Sequence, residues 1–200
     1  MTLDEGKTVV ALARSTLDAY VGGGGIRIRT WTSGILSEPR GVFVTINRAE
    51  DTPDRLRGCI GFPYPVKRLG DAVQEATIAA ACEDPRFPPV RVEELPLLVV
   101  EVSILTPPEP LDSPRRQDVA GKVHVGKDGL IVTRSSASGL LLPQVATEFQ
   151  LGAEDFLAQT CIKAGLAPDA WLDEKTRLQI FQAEIFGEKS PRGEINRLET

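Results

Sequence analysis

Two hundred residues with 42% hydrophobic content are enough to build a self-supporting core, which argues against wholesale disorder. A net charge of −5 disfavours broad contact with a nucleic-acid backbone, although Arg48, Arg55, Arg57, Lys67 and Arg68 fall close together and could form a local basic face. No apolar run is long enough to span a bilayer, and the opening residues carry acids rather than a signal-peptide core, so the expected setting is cytoplasmic with no membrane partner.

Along the chain, Val9, Leu12, Ala13, Thr16, Leu17 and Tyr20 recur at helical spacing and predict an amphipathic helix over 3–20. Gly22–Gly25 end it; the run lacks the spacing of a phosphate cradle and reads as a flexible linker. Gly41–Ile46 and Leu56–Ile60 read as two strands, an antiparallel pair joined by the charged loop NRAEDTPDR. Val66, Leu69, Val73, Ala76 and Ala80 predict a second helix ending near Cys82, and Asp84–Pro89 reads as an ordered turn. Leu97–Leu105 is a buried strand between prolines, and 107–121 is loop or short helix. Val123–Val125 and Leu130–Thr133 flank Asp128-Gly129, which signals a hairpin. Pro143 opens a helix through Phe149, another runs from Ala153 to Ala164 until Gly165 stops it, and Leu178–Phe186 alternates as a last strand. The pattern mixes strands and helices without regular βαβ alternation. It predicts an α+β fold around a mostly antiparallel sheet with flanking helices. The polar segment 188–200 is expected to be a loosely ordered tail.

Three cysteines without a CxxC pair fit a reducing compartment, and with a single histidine there is almost no material for a Cys/His zinc site. No metal is assigned, and the cofactor is unknown. The segment with most chemical content is Leu56-Arg57-Gly58-Cys59-Ile60-Gly61. Its glycines permit close approach or a bulge, and strand alternation places Arg57 and Cys59 on one face. A guanidinium beside a thiol lowers its pKa, so Cys59 is a candidate nucleophile with Arg57 as its support; the plain alternative is a cysteine that only packs. Asp84 and Arg86 form either a salt-bridged corner or the lining of a site beside Cys59. The Gln144 amide binds a ligand or caps its helix. His124 takes a structural or solvent-facing role in a strand. Phe43, Phe62, Tyr64 and Phe87 read as core rather than as a base-stacking platform.

LRGCIG resembles the signature of the AMMECR domain family. The likeness extends through the strand Gly41–Ile46, Asp84–Pro89, Glu101-Val102-Ser103, Gly126–Ile131, the LLPQVA run from Leu141 with Leu140 before it, and Cys161–Leu166 with Trp171, over about 5–187. The resemblance implies an α+β fold with a larger and a smaller lobe over 1–187. It also implies a domain that occurs alone or with Memo-type and radical-SAM partners, has no established activity, and has its suspected centre at LRGCIG. Three readings follow. The first is a module that binds a small ligand or protein partner through Arg57, Gly58, Gly61, Asp84, Arg86 and Gln144; the second is a thiol enzyme using Cys59 with Asp84 as proton acceptor. The third is a nucleic-acid-binding protein. Whether the chain is an enzyme is left open.

Overall fold

The computed structural model describes residues 1–25, 31–50 and 55–198. The middle of the predicted charged loop, 51–54, lies outside them. The chain divides into two compact units: Met1–Leu105 together with the described residues from Glu184 onward, and Thr106–Ala183. The fold is α+β, with mostly antiparallel strands flanked by helices.

In the first unit, α1 (Leu3–Val21) begins where two residues cap each other. Glu5 N–H donates to Thr2 Oγ1 at 3.2 Å and Thr2 N–H to Glu5 Oε2 at 2.7 Å, so backbone donors that the helix itself leaves unpaired are satisfied. Val9, Leu12, Ala13, Thr16 and Leu17 are buried as their spacing predicts, whereas Tyr20 is exposed. The second helix, α2, spans Leu69–Cys82. It starts later than the periodicity suggests because Val66 stands in solvent and Leu69 N–H bonds Glu38 O at 2.8 Å. Both helices share a core with β1 (Val42–Arg48), β2 (Leu56–Phe62) and β3 (Leu98–Leu105). Alternate residues Val42, Val44, Ile46, Val100, Val102 and Ile104 point into it, each stabilising the fold by roughly 2 kcal/mol relative to exposure.

The strand order is β2-β1-β3-β7, where β7 is Arg177–Glu188, and β8 (Ile195–Leu198) pairs with β7 from Ile185↔Leu198 to Glu188↔Ile195. This corrects the expectation of a loosely ordered tail. The segment carries a paired strand and the buried carboxylate of Glu188, which accepts from Arg14 Nε at 2.9 Å and Val100 N at 3.0 Å. Arg14 is a buried cation on α1, and the pairing offsets the cost of burying either charge alone.

The second unit is built on β4 (Glu109–Pro110), β5 (Asp128–Arg134), β6 (Ala137–Leu141), α3 (Pro143–Glu148) and α4 (Ala153–Lys163). Strands run β7-β5-β6, with β4 on β7. Phe156, Leu157 and Cys161 of α4 pack with Leu130, Val132, Trp171 and Leu178. The hairpin lies elsewhere than the Asp-Gly signal suggests. Arms β5 and β6 meet at Arg134↔Ala137, and Ser135 takes the left-handed conformation at φ 55°. Asp128 instead opens β5, its buried carboxylate accepting from His124 N at 2.8 Å and Gln182 Nε2 at 3.0 Å. Residues 123–125 are therefore not a strand: Asp128 N–H returns to His124 O and closes a turn there. Among the described residues, no helix is long and apolar enough to cross a membrane.

Candidate functional site

β2 carries the hexapeptide, and its pairing with β1 explains how the residues are aimed. Ile46 opposes Gly58 and Asn47 opposes Leu56, so Arg57 is the extra residue of a β-bulge. The bulge interrupts the alternation that would place Arg57 beside the thiol. Its side chain, 3% exposed, runs instead to Glu94 in the 3-10 turn Val92–Leu97, donating from Nε at 2.8 Å and from Nη2 at 3.0 Å. The third guanidinium nitrogen, Nη1, is buried with no hydrogen-bond partner among the described residues. Glu94 also accepts from Arg91 N–H at 2.9 Å, and the Arg57 contact holds its carboxyl below the usual range.

Cys59 opposes Thr45, and the Thr45 hydroxyl donates to Sγ at 3.3 Å. Thr45 in turn opposes Glu101 on β3, so thiol, hydroxyl and carboxylate form a row across three strands. Burial pushes the Cys59 thiol up from its ordinary pKa; the Thr45 hydrogen bond and Arg86 oppose that, while Asp84 and Glu101 reinforce it. Burial likewise raises Glu101. The nearby cation is thus Arg86, and the expected support from Arg57 is not there.

The turn after α2 holds the backbone of Cys59. Asp84 Oδ2 accepts from Cys59 N at 2.9 Å, and Arg86 Nη2 donates to Cys59 O at 3.4 Å. Asp84 also takes Arg86 N at 3.1 Å, Nε at 2.9 Å and Nη2 at 2.7 Å. The Arg86 hydrogen bonds, with the backbone donors, hold its carboxyl far below the usual carboxylate range, and Arg86 is raised in return. A carboxylate committed to four donors is a poor acceptor for a thiol proton, and the Thr45 hydroxyl already donates to sulfur. Among the described residues, neither Asp84 nor Thr45 is placed as a free acceptor for that proton.

Both glycines are required by close approach. A Cβ at Gly58 would sit 2.0 Å from Ala80 O of α2, and one at Gly61 would meet the Phe43 ring at 2.5 Å. Both pack the strand closely against its neighbours. Gln144 lies in the second unit on α3, and its Oε1 is buried without a hydrogen-bond partner among the described residues. Phe43, Phe62, Tyr64 and Phe87 are all half-buried, not core. Phe62 packs on the core's margin under Lys67 Nζ, 4.4 Å from its ring centroid, and Phe87 lines a groove.

That groove, about 500 Å³, lies wholly in the first unit. Arg48, Arg57 and Arg91 line it with Glu93 and Glu94, beside Phe87, Pro88 and Pro89. Glu94, Arg91 and Thr45 were not singled out in the sequence. The Arg91-x-x-Glu94 spacing, a residue returning to the backbone three positions earlier, was a signal available for the first two. Of the basic cluster, Arg57 pairs with Glu94 and Lys67 with Glu75, which weakens the nucleic-acid reading. Among the described residues, no group of three or more His, Cys, Asp and Glu side chains is placed to hold a metal.

Comparison with known proteins gives consistent matches. The family model described as AMMECR1 matches residues 10–186. A protein of Thermococcus gammatolerans is 53% identical over 194 residues, spanning 96% of this chain and 94% of its own. One from Methanocaldococcus jannaschii is 45% identical over 195 residues, covering 98% and 96%. The crystal structure of an uncharacterized protein from Pyrococcus horikoshii superimposes with a TM-score of 0.87 at 49% identity, covering 100% of this chain and 99% of that one.

Proposed function

The chain belongs to the AMMECR1 family, and on that premise we propose that it is a binding module whose site is centred on Leu56–Gly61. The observation that carries this reading is the bulge at Arg57. It turns a buried cation toward a groove and leaves one of its nitrogens without a partner among the described residues. Bulges next to functional sites re-aim a side chain in this way. The site binds a small ligand or a protein partner without covalent chemistry. The Memo-type or radical-SAM partner implied by the resemblance is the protein to try first. Arg57, Gly58, Gly61, Asp84 and Arg86 hold the site: the glycines and the Asp84–Arg86 pair fix β2, and Arg57 meets the occupant. All three cysteines are free, which supports the cytoplasmic setting.

Native recovery tests the reading. The full chain is purified from its source cells alongside Arg57→Gln, and each is examined by native mass spectrometry. A species bound to the unaltered chain and released from the variant supports the module. Bare protein in both preparations, with extract leaving hydrogen exchange over 56–61 unchanged, would sink it. The thiol-enzyme alternative is weakened by the raised Cys59 pKa, and the alkylation experiment described in the Discussion decides it.

A further inference from the structure

Resting on that binding reading, we infer that the groove beside Arg57 accepts a small organic anion, a carboxylate or phosphate group on an apolar body, with an anionic oxygen taking the N–H groups of Arg57 Nη1. Arg57 is 3% exposed, and Glu94 occupies Nε and Nη2 but not Nη1. A buried donor without an acceptor costs about 1–3 kcal/mol, and native proteins rarely keep one without a reason. With Nε and Nη2 committed to Glu94, Nη1 still carries N–H donors that suit one oxygen of an anion.

The lining mixes cations and anions, and among the described residues the exposed Arg91 adds a second guanidinium beside Arg57. Size and lining set the rest of the ligand. A groove of about 500 Å³ falls in the range of roughly 300–1,000 Å³ that holds small molecules. Phe87, Pro88 and Pro89 offer an aromatic ring and two rigid aliphatic rings, which suit a flat or apolar body. Phe87 itself lies under a cation, with Arg86 5.4 Å from its centroid.

The test uses the full chain and three probes at constant ionic strength: inorganic phosphate, phenyl phosphate and benzoate, with sodium chloride as the control salt. Arginine Nε–H and backbone signals are followed by NMR. Expected is a saturable shift at Arg57 and Phe87, at least fivefold tighter for phenyl phosphate or benzoate than for inorganic phosphate. The two organic arms separate phosphate from carboxylate recognition. Arg57→Lys, which keeps the charge and loses Nη1, weakens the preferred probe tenfold or more, and the exposed Arg91→Ala about threefold. The inference is overturned by shifts that chloride reproduces, by absence of saturation with all three probes, or by unchanged affinity in both variants. Should Arg57→Lys fail to fold, Arg91→Ala decides alone. A failed probe series with a bound species still recovered from cells removes the anion and leaves the binding module; bare protein from cells removes the module itself.

Discussion

Two grooves among the described residues, one in each unit, are lined in opposite ways. In the first unit, arginines and glutamates stand beside Phe87 and two prolines, and Glu94 holds Arg57 in place. In the second unit, a groove of about 370 Å³ is lined by Leu141, Val145, Phe149, Leu151 and Ile162 from β6, α3, α4 and the loop between the helices. Gln159 and Lys163 are its polar members. Apolar contact has no direction, so the second groove is defined by area alone. Ion pairs and hydrogen bonds do have direction, so the first is defined by where donors are left over. The difference teaches where selectivity can reside: in the unit whose side chains cannot move without breaking a bond.

Substitutions can break that contrast, the severest first. Gly58→Ala forces a methyl against Ala80 O, and β2 and α2 must separate. The expected loss is roughly 3 kcal/mol, read from the urea midpoint. A variant as stable as the parent would mean that this contact does not fix the strand. Asp84→Asn removes the acceptor that holds the Cys59 backbone and Arg86, at a cost of about 2 kcal/mol. It should also flatten the acid limb of the stability curve. Asp84 is depressed in the folded state, so its contribution is present above the ordinary carboxylate pKa of about 3.9 and is lost as pH falls below it. Persistence of the same limb in the variant would show that other carboxylates carry it.

Smaller effects sharpen the contrast. The Cys59 thiol is raised by burial, so with Cys82 and Cys161 replaced by Ala, its alkylation should accelerate only above the ordinary thiol value of about 8.5. Fast alkylation at neutral pH would restore the nucleophile. Arg86→Ala removes the nearby cation and should move that profile further up. Phe149→Ser, in the apolar groove, should change stability by no more than about 0.5 kcal/mol because the ring is already 70% exposed. A core-sized loss there would erase the distinction between the grooves.

Local patterns made much of this legible. The helical spacing of Val9 to Leu17 and of Leu69 to Ala80 placed two helices, and the β-branched runs placed β1 and β3, because those signals are written in neighbouring residues. Features that depend on distant partners were hidden. Arg57 finds Glu94 37 positions away only because a bulge turns it; the glycines of LRGCIG allow a bulge but do not say that Arg57 is the residue it displaces. Glu188 reads as tail polarity until Arg14 and Val100 are found against it. The hairpin was missed for a chemical reason: serine at the left-handed position gives no turn signal, whereas Asp128-Gly129 gives a strong one used for something else.

The hold of Asp84 and Arg86 on Cys59 has one more consequence. β2 stands last in the strand order, where an unpaired N–H and C=O would invite another chain to add itself. At Cys59 both groups are already taken, the N–H by Asp84 and the carbonyl by Arg86. Two side chains do there what a neighbouring strand would do. The sheet is closed to augmentation at Cys59, within Leu56–Gly61. Self-association through this margin is blocked at that point, and a visiting peptide must be recognised by its side chains and its charge rather than by its backbone.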